Sequence, residues 1–226
     1  MSAEATVRDA FDAARASAVV DAWLRGWAFA IAANRGWLTD LDAAIGDGDH
    51  GINLDRGLQA VVRDMDAAAR GHAGGMLAGA GRTLMGVVGG ASGALYGQAL
   101  LRAGAAVSAD TNADRLGATA LGAAAAAIAQ LGKAMPGDKT MLDALLPAVE
   151  VLGAAESRGG HEPMAARYRR AAAAAVAGAE ATIPVVARKG RASYLGERSA
   201  GHRDPGAASS AMLVEALADA YAREPG

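Results

Sequence analysis

Apolar residues recur at three- and four-residue intervals along almost the whole chain, and the strict alternation of a half-buried strand is nearly absent. The pattern predicts a long helix over about Val7 to Ala33, with room for a break, whose apolar stripe is Phe11, Val19, Val20, Trp23, Leu24 and Trp27. Trp37, like Trp23 and Trp27, is expected in the core. A short helical turn is predicted from Trp37 to Ala44, with Thr39 as its N-cap. Further helices are predicted over about Asn53 to Ala69, Met76 to Val88, Ala94 to Ala106 and Ala113 to Lys133. Pro136 and Gly137 then break the pattern, and Asp138 is placed as the cap of a helix reaching about Ala155. The last two helices are predicted from Pro163 to about Val186 and from Ser209 to Ala222. About eight helices with short connections imply antiparallel neighbours in an all-α bundle.

Four polar, glycine-bearing loops interrupt this monotony: 42–53, 89–93, 136–140 and 187–206. In an up-and-down bundle alternate loops lie at the same end, so polar loops that converge there would make a site.

Composition narrows the picture. The 226 residues suffice for one large or two small domains, and no shift in composition marks a boundary. Hydrophobic residues are 52% of the chain but aromatics only 4%, and alanine dominates, which favours closely packed helices. A net charge of −2 gives no electrostatic footprint for nucleic acid. The absence of cysteine excludes disulfides, thiol catalysis and thiolate metal sites. The opening MSAEATVRDAF lacks a signal-peptide layout and no apolar run is long enough to span a membrane, so a cytoplasmic location is expected.

The chemistry is concentrated in Leu41 to Asn53, LDAAIGDGDHGIN, where Asp42, Asp47 and Asp49 surround two glycines. Three acids in one turn repel one another unless a cation joins them, and oxygen-only ligands select a hard ion. Gly46 to Gly51 fits GxGxxG formally, but the preceding segment reads as helix and the acids would repel a pyrophosphate. An EF-hand starting at Asp47 would need Gly and Glu where Ile52 and Leu58 stand. Mg²⁺ with coordination positions left open for phosphate oxygens fits better. A merely solvated acidic turn, with Asp49 or Asn53 capping the next helix, is the competing reading. Gly89-Gly90-Ala91-Ser92-Gly93 opens a helix, where free N–H groups and glycine suit phosphate; a tight helix–helix turn would look the same. Arg191 offers a bidentate phosphate partner, and Asp204-Pro205-Gly206 is a turn able to wall a base or ribose. The four histidines show no zinc-ligand spacing, and His50 alone sits among the acids.

The blocks IGDGDHGIN, GGASGALYG, GDKTMLDAL and KGRASYLGERSAGHRDPGA, in this order, resemble the nucleotide-binding L subunit of dihydroxyacetone kinases. The resemblance covers about residues 14 to 222, leaving 1–13 as a tail or helix extension and 14–226 as a single nucleotide-binding domain. It implies a closed barrel of eight antiparallel helices carrying ADP or ATP and two Mg²⁺ ions at one end. By that likeness Asp42, Asp47 and Asp49 hold the metals, and with Arg191 they form the catalytic set. His50, Gly51, Ile52, Asn53, Ala91 and Ser92 would line the phosphates, and Gly132, Met141, Arg191, Asp204, Pro205 and Gly206 would complete the nucleotide pocket. The family's phosphoryl acceptor, dihydroxyacetone or a similar short ketose, is bound covalently to a histidine of a separate K subunit. A phosphohistidine phosphotransferase subunit recharges the nucleotide in some members, and free ATP exchanges in others. A nucleotide-sensing module docked on a transcription regulator would need the same site, and a kinase subunit or phosphatase for another substrate is a further alternative. Three positions depart from the common pattern: Ile52 for threonine, Leu54 for methionine and Ala94 for proline.

Overall fold

The computed structural model describes residues 3–68, 71–110, 112–157 and 162–223. Among these there is no strand. The helices are α1 (Ala3–Ala33), α2 (Arg35–Ile45), α3 (His50–Ala67), α4 (Ala73–Val87), α5 (Gly90–Ala109), α6 (Leu116–Gly132), α7 (Leu142–Ser157), α8 (Met164–Ala181) and α9 (Pro205–Ala222), with a 3-10 stretch at Arg191–Ser199.

The long helices pack in chain order, α3 on α4, α4 on α5, and so on to α9. Helix α1 packs on both α3 and α9 and closes the ring. This is the expected closed barrel of eight helices, with the short α2 added across α3, α9 and the 3-10 stretch. The α1 stripe explains the closure. Val19, Val20, Trp23, Leu24, Trp27 and Ile31 are fully buried, each stabilising the fold by about 1.5–3 kcal/mol. The Trp23 and Trp27 ring N–H groups donate to the α9 carbonyls of Leu213 and Ser209, at 2.8 and 3.2 Å, so two large rings meet the neighbouring backbone without an unpaired donor. The side chain of Phe11 lies outside the described residues. Helices α4 and α5 pack backbone to backbone: a Cβ at Gly81 would lie 2.6 Å from the Gly97 carbonyl oxygen, and one at Gly104 would lie 2.5 Å from that of Gly74.

Three local expectations change. Thr39 is not an N-cap; it lies inside α2, where its hydroxyl donates to the Arg35 carbonyl at 2.8 Å. The preceding break is made by Asn34, whose amide side chain turns back to the Ala30 carbonyl. Asp138 does not cap α7, which starts four residues later; its carboxylate accepts from the Met135 N–H at 2.8 Å and ties the turn to itself, while Asp143 accepts from Gly137 and Thr140. Trp37 is 38% exposed, its face covered by the Arg203 guanidinium 5.2 Å away, so it packs at the surface through a cation–π contact. No described helix is long and apolar enough to cross a membrane.

Candidate functional site

All four polar loops meet at one end of the ring and line a cavity of ≈ 400 Å³. Three helix N-termini open onto it: α3 through His50 and Asn53, α5 through Gly90, Ala91 and Ser92, and α9 through Pro205 and Gly206. The positive ends of three helix dipoles therefore face one volume, which favours an anion.

The carboxylates of Asp42, Asp47 and Asp49 stand beside these termini, with ligand oxygens within 4.8 Å of one another. Asp42 sits in the last turn of α2 and is buried. Its Oδ2 accepts the N–H groups of Asp49 and His50 at 2.9 and 3.1 Å, which fixes it against the start of α3 and leaves Oδ1. Asp47 and Asp49 flank Gly48, whose φ of 72° turns the loop back. Asp47 also pairs with Arg191, at 3.0 Å. An all-carboxylate donor set with Oδ1 of Asp42 uncommitted fits Mg²⁺ and leaves coordination positions for another ligand. Asp49 holds the N-cap position of α3 but makes no side-chain cap bond, and the Asn53 side chain accepts from Arg56 instead of capping. The competing reading of these residues as cap formers therefore has no hydrogen bond behind it.

His50 is buried beneath the cavity floor with both ring nitrogens engaged. Nδ1 meets the Ser92 hydroxyl at 3.0 Å and Nε2 the Ser209 hydroxyl at 2.8 Å. Burial lowers its pKa, only partly offset by Asp42 and Asp49. Ser209 passes the network to Tyr96, which also meets Ser210, at 2.7 and 3.0 Å. Burial keeps the Tyr96 phenol protonated. His50 thus links the cavity-lining Ser92 to this buried network.

The opposite wall is apolar: Leu95, Ile128, Leu131, Ala134 and Met141. Asp204 caps α9 by accepting the Ala207 N–H at 2.7 Å, and burial pushes its carboxyl up to about 7 despite that bond. Lys139 lies under the same wall, 1% exposed, and Lys189 joins Arg191 on the rim.

Of the residues singled out from sequence, Asp42, Asp47, Asp49, His50, Asn53, Ala91, Ser92, Gly132, Met141, Arg191, Asp204, Pro205 and Gly206 line this cavity. Gly51 and Ile52 do not. Gly51 is pressed against α2, where a Cβ would lie 2.2 Å from the Arg35 carbonyl, and the Ile52 side chain is half exposed outside the cavity. A helix turn carries successive residues to different faces, so four consecutive residues cannot all point inward. Lys139, Leu95, Ile128 and Leu131 were not singled out. Lys139 stood inside the GDKT block, but a lysine's burial leaves no mark in sequence.

Comparisons with known proteins show the family of the chain. A family model described as the DAK2 domain matches residues 44–219. The ADP-binding subunit DhaL of a PEP-dependent dihydroxyacetone kinase 2 from Listeria innocua is 44% identical over 187 residues, 81% of this chain and 85% of that one. The corresponding ADP-binding subunit from Escherichia coli is 44% identical over 184 residues, covering 80% and 86%. An L-erythrulose 1-kinase from Mycolicibacterium smegmatis is 39% identical over 227 residues, 98% of this chain but 39% of that one. Among solved structures, the dihydroxyacetone kinase of C. freundii in complex with AMP-PNP and Mg²⁺ superposes with a TM-score of 0.66 at 27% identity. That match covers 91% of this chain, which spans about a third (34%) of the solved chain's length. The chain belongs to the DAK2 domain family, a family of kinases and kinase subunits.

Proposed function

We propose that this chain is the nucleotide-binding subunit of a dihydroxyacetone-type kinase. It holds ADP or ATP with two Mg²⁺ ions in the cavity and transfers the terminal phosphoryl group to a short ketose presented by a separate K subunit. The observation that carries this reading is the arrangement of charge: three carboxylates within 4.8 Å of one another beside three helix N-termini. Carboxylates and an anion-attracting surface suit a common ligand when that ligand is a polyphosphate joined to the acids by cations.

Asp42, Asp47 and Asp49 are the groups to hold Mg²⁺, which when bound neutralises charge on the phosphates during transfer. The residues of this chain supply positioning. Main-chain N–H groups at Ala91 and Ser92 face the phosphates, His50 orients the Ser92 hydroxyl, and Arg191 adds positive charge from the rim. Leu95, Ile128, Leu131 and Met141 offer an apolar slot for a base, with Asp204 to Gly206 closing it. No lining residue among those described is an evident base for the acceptor hydroxyl: His50 has both nitrogens bonded and Asp204 is committed to the Ala207 N–H. Proton removal then falls to the partner that presents the ketose.

The names of the relatives favour an ADP that stays bound and is recharged by a phosphotransferase component, since the ADP-binding subunits from L. innocua and E. coli are called PEP-dependent. A second reading, a four-carbon ketose as acceptor, is favoured by the alignment with the L-erythrulose 1-kinase along 98% of this chain. Mass spectrometry of the purified chain under native and then denaturing conditions should release ADP. Turnover should require a K subunit, with PEP-driven components or ATP as phosphoryl source and dihydroxyacetone or erythrulose as acceptor. A chain that neither retains nor binds Mg²⁺ with ADP or ATP would overturn the proposal.

A further inference from the structure

We infer that Lys139 is a positioning residue: its ammonium is a built-in cation around which segment 182–202 folds, and that cage sets Arg191 opposite Asp47 at the cavity mouth. The Lys139 Nζ donates to the carbonyl oxygens of Thr182 at 2.9 Å, Val185 at 3.1 Å and Ser199 at 2.8 Å, and to that of His202. An ammonium has three N–H groups, so one is shared between two of the four carbonyls. The backbone at Lys139 is left-handed, φ 65°, a conformation that disfavours any side chain and is kept here because it aims this one into the cage. No described carboxylate lies within ion-pair distance of Lys139. Its charge is solvated by main-chain oxygens in place of water.

The remaining ties converge on the same point. The Arg188 N–H donates to the Asp138 carbonyl at 3.0 Å, beside Lys139. The Gly201 N–H donates to the Ile183 carbonyl at 2.7 Å, and the Ala187 N–H to the Ser199 hydroxyl at 2.8 Å. Between these anchors runs the 3-10 stretch that begins at Arg191. Its apolar support is small, a cluster of Ile45, Ala187 and Ala192 with Leu195 beside it. The stretch therefore owes its placement to polar anchors, and Lys139 supplies the largest set. Without the ammonium, four carbonyl oxygens would face one another with no donor between them.

The test uses the full chain and reads hydrogen exchange, which needs no nucleotide. In Lys139→Ala, exchange across 183–203 should rise by at least about tenfold, the effect of losing one charged hydrogen bond, while α1 and α9 keep their protection. Ethylammonium should enter the vacated cage and restore protection; tetramethylammonium at the same concentration, with no N–H to donate, should not. Lys139→Met fills the same volume without charge, so it covers the case in which the alanine variant fails to fold. It should show the faster exchange and no rescue. Unchanged exchange in the methionine variant, or equal rescue by both cations, would overturn the inference. The expected loss of Mg²⁺·ADP affinity in both variants rests on the proposed function. If the parent chain bound no nucleotide, that reading would fall while the exchange results still decided the role of Lys139.

Discussion

Gly46→Ala perturbs the acidic centre through a single methyl group. A Cβ on Gly46 would lie 2.0 Å from Oδ1 of Asp42, 2.9 Å from its Cγ and 3.0 Å from its carbonyl oxygen. Ordinary van der Waals separation requires the carboxylate to retreat by more than about 1 Å. Oδ2 is held by the N–H groups of Asp49 and His50 at 2.9 and 3.1 Å, and a shift of that size breaks both bonds. A hydrogen bond to a charged group contributes about 1.5–3 kcal/mol, and water recovers part of the loss, so the variant should be destabilised by about 2–4 kcal/mol. The same shift moves a proposed ligand of an ion that demands near-ideal geometry, so Mg²⁺-dependent ADP affinity should fall by about 100-fold. The control is Gly122→Ala in α6, where the added methyl meets nothing within 4 Å. That variant should be stabilised by about 0.5–1 kcal/mol with affinity unchanged. Urea unfolding in chelator and calorimetric titration of ADP with Mg²⁺ measure the two quantities. A Gly46→Ala protein as stable as its parent, with affinity within about threefold, would refute the reasoning.

Arg191→Met should leave unfolding stability within about 0.5 kcal/mol, because the pair with Asp47 is largely exposed, yet weaken ADP binding by about tenfold; calorimetry and urea melts separate the two effects. Asp204 has a folded pKa of about 7, above its unfolded value, so the folded state keeps a proton that the unfolded state has already released. Stability relative to Asp204→Asn should therefore be greatest below about pH 4 and decline as pH rises to about 7, by up to about 4 kcal/mol, as followed by urea melts in chelator. His50 has the opposite sign. Its folded pKa is lowered, so the unfolded chain takes up a proton first and stability falls as pH drops below about 6.5. His50→Gln should lose that acid-side decline in the same melts. Tyr96→Phe removes the hydroxyl shared by Ser209 and Ser210 and should cost about 1–3 kcal/mol, with weaker ADP binding if the network positions Ser92.

Much of this molecule is legible in its sequence. The three- and four-residue recurrence of apolar positions predicts the long helices, because an amphipathic helix must bury one stripe and the stripe has the helix's own period. The acids around Gly46 and Gly48 are adjacent in sequence, so their clustering follows from covalent connection and glycine's freedom to turn. Local capping was less legible. Thr39 and Asp138 have the right chemistry for N-caps but sit at the wrong place, since the helix starts were set by packing and by Asn34 and the 136–141 turn.

The tertiary structure decided everything that depends on residues distant in the chain. It joined the α3, α5 and α9 N-termini into one anion-attracting end and put Ser92 and Ser209 on the two nitrogens of His50. It turned Gly51 and Ile52 away from the cavity while their neighbours line it. It also made Lys139 an interior cation, a role that no count of charges reveals. The physical reason is the range of the forces. Helical periodicity and glycine turns are encoded over a few residues, whereas burial, and with it the lowered pKa of His50 and the raised one of Asp204, is a property of the whole closed ring.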